Sequence, residues 1–176
     1  MKKKEFLYIA KLFNEKLNIV PLLFGSLGLE ERLHKDLDAD DIDVLIPEAF
    51  LNEKWDSIVS IMNGNGYVLY DLHEHAFKKA GLSFAFASIE SLEDFAGVDT
   101  SKIPIVEKIG VRYYLLDLHD YLKVYTASSK DGYRKNIKNK KDEQKIELIN
   151  NFITKSKIAH MSGSAPSPPS ICTISD

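Results

Sequence analysis

The chain is short of cysteine, of long apolar runs and of excess basic charge, and each shortage removes a class of protein. Its single cysteine, Cys172, lies near the end, so no internal disulfide and no cysteine-rich metal site is expected, and a reducing cytoplasm is the expected compartment. No continuous apolar run reaches the roughly 20 residues that cross a bilayer. The basic start Met1-Lys2-Lys3-Lys4-Glu5 leads into a segment broken by Lys11, Asn14, Glu15 and Lys16 without a small-residue cleavage site, which reads as an amphipathic first helix and not as a leader. A net charge of −3 and a pI near 6.0 speak against a general nucleic-acid binder, whose phosphate contacts need a basic face. His73 and His75, near Asp71 and Glu74, lack the spacing of a zinc helix and have no cysteine partner; they read as surface histidines. His119 reads as the polar face of a helix.

What the chain has is enough apolar material, 44% of 176 residues, for one sizeable core. One domain over residues 1–157 is expected. From Ser162 to Ser170 the composition turns to Ser, Gly and Pro, which cannot build a core. Ala159-His160-Met161 looks like a cloning junction, so residues 158–176 are expected to be a flexible tail without a functional part.

Periodicity predicts the elements. Phe6, Ile9, Ala10 and Phe13 recur at helical spacing, with an end near Leu17 to Asn18. A strand over Ile19 to Phe24, a helix from Ser26 to His34, a polar connector from Lys35 to Asp40 and a strand from Ile42 to Ile46 closed by Pro47 follow. A helix from Leu51 to Met62 should stop at Asn63-Gly64-Asn65-Gly66. Tyr67 to Leu72 and Leu82 to Ala87 read as strands around an unassigned stretch from His73 to Ala80. Val111 to Leu116 is a further strand, and Asp117 caps a helix through Tyr125. The fold class is α/β (α+β), a small mixed sheet with helices packed on it.

Two short motifs carry chemistry. Leu23-Phe24-Gly25-Ser26 is an apolar strand running into a Gly-Ser helix start, whose unpaired N–H groups suit a phosphate. Asp41-Ile42-Asp43-Val44 begins a strand with two acids one residue apart. Residues i and i+2 of a strand share a face, so Asp41 and Asp43 converge while Ile42 and Val44 face the core. Two carboxylates on one edge suit magnesium.

Gly25-Ser26 followed by Asp41-Ile42-Asp43-Val44 resembles the signature of the polymerase-beta-like nucleotidyltransferase superfamily, closest in layout to the small lincosamide and aminoglycoside nucleotidyltransferases. The resemblance implies the nucleotidyltransferase fold, with Asp41 and Asp43 as catalytic residues and metal ligands, Gly25 and Ser26 as nucleotide-binding residues, Mg as cofactor, and an NTP (ATP is expected) plus a small-molecule acceptor as partners. The implied reaction moves a nucleoside monophosphate from the NTP to an acceptor hydroxyl and releases pyrophosphate. Such enzymes usually carry a third acid on a later strand. In the strand Leu82 to Ala87 the corresponding face presents Ser83, Ala85 and Ala87, and Ser83 is expected at the position of the acid. Glu90 and Asp71 are the candidate substitutes, although Glu90 also suits the start of a helical turn. The gap supports an alternative function, a nucleotide-binding or regulatory module without turnover, with a toxin-like partner. The run from Tyr133 to Ile153 resembles the closing helices of the antibiotic-modifying group, and Lys135, Lys138, Lys140 and Lys141 are candidates to neutralise triphosphate charge or, as the competing reading, a solvated basic face.

Overall fold

A computed structural model of the chain describes residues 1–130 and 139–161. The chain opens with α1 (Lys2–Leu17), which ends where Asn18 turns left-handed at φ 52° and sends its N–H back to the Phe13 carbonyl. The Ile19 N–H is spent on the same carbonyl, and Pro21 has none to give. Strand β1 is therefore only Leu22–Leu23, far shorter than the Ile19 to Phe24 expected from its apolar run. Helix α2 (Gly25–Leu33) follows at once, and β2 (Ile42–Ile46) has the bounds its pattern predicts. A 3-10 turn over Glu48–Phe50 delays α3 to Trp55–Gly64.

The unassigned stretch is a hairpin: β3 (Val68–Asp71) returns through Leu72 to His75 into β4 (Ala76–Lys79), then β5 (Leu82–Ser88). Helix α4 (Ser91–Ala96), β6 (Ile105–Lys108), β7 (Val111–Tyr114), α5 (Leu118–Lys130) and α6 (Asn139–Met161) complete the described residues. Asp117 accepts the Asp120 N–H at 2.9 Å and so caps α5 as expected. Helix α6 runs to Met161, past the expected boundary at 157/158; Cys172 and the Ser/Pro stretch lie outside the described residues.

Seven strands form one mixed sheet in the order β3-β4-β5-β2-β1-β7-β6. The centre explains the site. β1 runs antiparallel to β2, while β2 is parallel to β5 and β1 parallel to β7. Two cores lie on its two faces. One joins Phe6, Ile9 and Phe13 of α1 and Ile58 and Met62 of α3 to Ile42, Val44, Phe84 and Phe86. The other joins Leu29 and Leu33 of α2, Leu92 of α4, Tyr121 and Tyr125 of α5 and Ile149 of α6 to Leu22 and Leu45. Strand alternation thus sends Ile42, Val44 and Ile46 to one core, and Asp41, Asp43 and Leu45 to the opposite face. Among the described residues no helix is long and apolar enough to cross a membrane.

Candidate functional site

The second face opens into a cleft of about 770 Å³ between the sheet and the α5–α6 pair. Gly25, Ser26, Asp41 and Asp43, the four residues singled out in the sequence, all line it. The Phe24 N–H donates to the Asp43 carbonyl at 2.9 Å, which fixes the start of α2 beside the acid strand. Gly25 sits at φ +59°, and a Cβ built there would stand 1.9 Å from Asp43 Oδ2. The glycine is needed first because the Asp43 carboxylate lies against its Cα, and second because its backbone is left-handed. Farther along α2, a Cβ on Gly28 would meet the Tyr121 hydroxyl at 2.1 Å and the Leu23 carbonyl at 2.5 Å, so α2 lies flush against both the sheet and α5.

The connector before β2 is ordered by α2 itself. Glu30 Oε1 accepts the N–H of Leu37 at 3.2 Å and of Ala39 at 2.8 Å, holding the loop that delivers Asp40 and Asp41. From the far wall Lys141 pairs with Asp40 at 3.1 Å. Of the other lysines expected near phosphate, Lys135 and Lys138 lie outside the described residues, and Lys140 has no described side chain.

A different lysine occupies the site. Lys145 Nζ donates to Ser26 Oγ at 2.8 Å and lies 4.8 Å from the centre of the Tyr125 ring. Burial lowers its pKa below the ordinary lysine value, against the opposing pull of Asp142 and Asp43. Beside it the Tyr125 hydroxyl is buried, and burial followed by the charges of Asp142 and Asp43 pushes its pKa well up, against the opposing pull of Ser26, so it remains a proton donor. Asp142, itself 7% exposed, accepts the Ser128 hydroxyl at 2.8 Å and ties α6 to α5. A sequence signal for Lys145 exists: Lys141 and Lys145 are one helical turn apart and share a face.

Strand register sets the levels along the β5 face where the further acid is expected. Asp43 pairs with Ala85 of β5, and Ala85 and Ala87 line the cleft, whereas Ser83 pairs with Lys78 and is not part of the lining. Ser83 stands on the same face one step before Ala85, and the position beside Asp43 is held by Ala85. The two candidate substitutes are engaged elsewhere. Glu90 accepts the Glu48 N–H at 3.0 Å and the Ser88 hydroxyl at 2.7 Å, and Asp71 accepts the N–H groups of His73 and Glu74 in the hairpin turn. His75 packs edge-on against Trp55, and His73 is exposed.

Among the described residues no group of three His, Cys, Asp or Glu side chains gathers as a metal site. Two carboxylates are nevertheless a fitting donor set for magnesium, which keeps several waters and takes its remaining oxygens from substrate phosphates. The close approach of Asp43 to Gly25 sets that carboxylate beside the start of α2.

No family model matches the chain. Two solved structures share its fold. One is the crystal structure of ANT(2")-Ia in complex with adenylyl-2"-tobramycin, with a TM-score of 0.54, 12% identity and coverage of 92% of this chain and 95% of that one. The other is an antigenic nucleotidyltransferase-like protein from Paracoccidioides brasiliensis, with a TM-score of 0.59, 14% identity and coverage of 84% and 75%. The expected nucleotidyltransferase-like fold is thus the observed one. In sequence, the chain is 48% identical over 149 residues, 85% of its own length and 96% of the relative's, to the uncharacterized protein YnaI of Bacillus subtilis (strain 168). The chain belongs to the family of YnaI, and that family has a nucleotidyltransferase-like fold.

Proposed function

We propose that the protein is a magnesium-dependent nucleotidyltransferase that moves a nucleoside monophosphate from an NTP, ATP by preference, to a hydroxyl of a small molecule. The observation that carries this reading is the contact of the Asp43 carboxylate with Gly25, because it joins the metal-type acid pair to a phosphate-type helix start within one cleft. When bound, magnesium would supply charge neutralisation across the triphosphate. Asp41 and Asp43 would hold it, and the first turn of α2 would orient the phosphates. The cleft supplies the walls that exclude water around the reacting phosphorus, with Leu45, Leu92, Val124 and Leu148 among its lining. The fold neighbour solved with adenylyl-2"-tobramycin supports an adenylyl group and a small-molecule acceptor.

A second reading, nucleotide binding without turnover, is favoured by Ala85, since no carboxylate stands beside Asp43 on β5 to take the acceptor proton. Calorimetry with ATP, with and without magnesium, tests what the two readings share. Asp41→Asn with Asp43→Asn is expected to abolish metal-dependent binding, because it leaves the ion with neutral ligands only. Unchanged ATP affinity in that double variant would sink both. Pyrophosphate release with a panel of hydroxylated acceptors then separates them, since only the enzyme produces it.

A further inference from the structure

Beyond Asp43 the cleft has a floor of alanines with a carboxylate at its edge. Asp43, Ala85 and Ala76 stand in one row across β2, β5 and β4, and Leu45 and Ala87 stand in the next. The bond from the Phe86 N–H to the His75 carbonyl carries the pairing one residue beyond β4, which brings Glu74 level with Ala87. His75 packs edge-on against Trp55, so alternation turns Glu74 to the other side of the sheet, and Glu74 lines the cleft. Asp71 holds this turn, since its Oδ1 accepts the N–H groups of His73 at 3.0 Å and Glu74 at 3.1 Å. The Glu74 side chain, 71% exposed and 3.5 Å from the His73 ring, stands at the mouth of the cleft. The other acids of the lining have different places: Asp41 and Asp43 form the metal-type pair, Asp38 and Asp40 stand on the connector before β2, and Asp142 is tied to Ser128.

With strands about 4.8 Å apart and a rise of about 3.3 Å per residue, the Glu74 Cα stands about 12 Å from that of Asp43, two strands and two residues away. Side chains extended from both ends leave several ångströms between their carboxylates, above Ala76, Ala85 and Ala87. Such a gap is too wide for one shared ion, in keeping with the lack of a three-acid group among the described residues. It is wide enough for the reacting phosphorus and one acceptor oxygen. We propose that Glu74 is the general base of the transfer, taking the proton of the acceptor hydroxyl without ligating the metal. The inference rests on the nucleotidyl-transfer reading and names, on the β3–β4 turn, the acid that β5 does not supply. In the step, the acceptor proton passes to a Glu74 carboxylate oxygen and the acceptor oxygen bonds to the α-phosphorus. The bond from that phosphorus to its bridging oxygen breaks, and its electron pair leaves on pyrophosphate. Glu74 then gives the proton to solvent at the cleft mouth.

The test follows pyrophosphate release from magnesium ATP by the full chain, with an aminoglycoside, a lincosamide, glycerol or water alone as acceptor. Glu74→Gln keeps the size of the side chain but cannot take the proton, so release should fall by about a hundredfold or more. Its manganese and ATP affinities, read by calorimetry, and its melting temperature should stay at the parent's, because the side chain is exposed and holds no metal. Glu74→Asp, a carboxylate one methylene short, should recover part of the rate. Turnover lost with binding and stability intact is a pattern that neither a metal ligand nor a structural residue gives. Parent-like release in Glu74→Gln would overturn the assignment and leave the nucleotidyl-transfer reading in place. A fall in manganese affinity that matches the fall in rate would also overturn it, since Glu74 would then be a ligand. So would a parent that binds magnesium ATP but releases pyrophosphate with none of the acceptors, because water fills the acceptor's place when nothing else does. A parent without metal-dependent ATP binding would remove the nucleotidyl-transfer reading itself, and the base with it.

Discussion

Replacing Gly25 by alanine tests the joint between the two halves of the site. The added methyl would be placed 1.9 Å from Asp43 Oδ2 and 2.9 Å from its Cγ. Ordinary contact needs more than 3 Å, so the carboxylate has to retreat by over an ångström or the helix start has to move. Metal–oxygen bonds to magnesium tolerate deviations of only about a tenth of that, near 2.0–2.1 Å. Disturbing the support of a ligand generally costs about 10–100-fold in metal affinity, and Gly25→Ala should fall in that range. The backbone adds a separate cost. At φ +59° an L-residue is strained by about 1–2 kcal/mol, which for a chain of this size lowers the melting temperature by about 2–8 °C. Gly64→Ala is the control: no atom lies within 4 Å of its added methyl, and it ends α3, so neither affinity nor stability should fall. Manganese-dependent ATP titration and thermal melting read the two effects independently. A Gly25→Ala protein that melts with the parent and titrates manganese normally would refute the claim that this glycine exists to seat Asp43.

Two further perturbations follow from named contacts. Ala85→Asp should raise divalent-metal affinity several-fold and, with a true acceptor, turnover, whereas Ser83→Asp should do neither; the reverse pattern in a manganese titration would show that the register between β2 and β5 is misassigned. Glu31 lies between Lys3, Lys108 and Tyr113; burial raises its pKa, but the hydrogen bonds and charges of Lys3 and Lys108 outweigh that and hold it below the ordinary 4.5. The folded state therefore binds this proton less readily than the unfolded chain, so the stabilisation is complete above about pH 4.5 and is lost as pH falls through the lower folded value. Glu31→Gln should lower the melting temperature at pH 7 and approach the parent near pH 3, and a deficit that is the same at both values would refute the ion-pair account.

The parts of the site that were legible in the sequence are those fixed by local geometry. Asp41 and Asp43 share a face because alternation in a strand leaves no other arrangement, and Gly25 was marked by standing between an apolar strand and a helix. Other elements depended on signals that the residues do not advertise. Strand β4 was unreadable because the turn before it places His75 at positive φ, where a glycine or asparagine would have announced the bend. Edge strand β6 alternates between exposed and half-buried residues and has no apolar run, so nothing but its pairing with β7 defines it. The levels of Ser83 and Ala85 against the acid pair have the same origin. A period of two identifies the face on which Ser83, Ala85 and Ala87 stand, but the level along that face is set by pairing with β2, a long-range property. Lys145 is the extreme case, 119 residues from Ser26 in the chain and bonded to it at 2.8 Å. Among so many lysines its distinction is its position relative to α5, over the Tyr125 ring. Such a placement is a property of the assembled fold alone, since no local pattern in α6 tells which of its lysines will meet the first turn of α2.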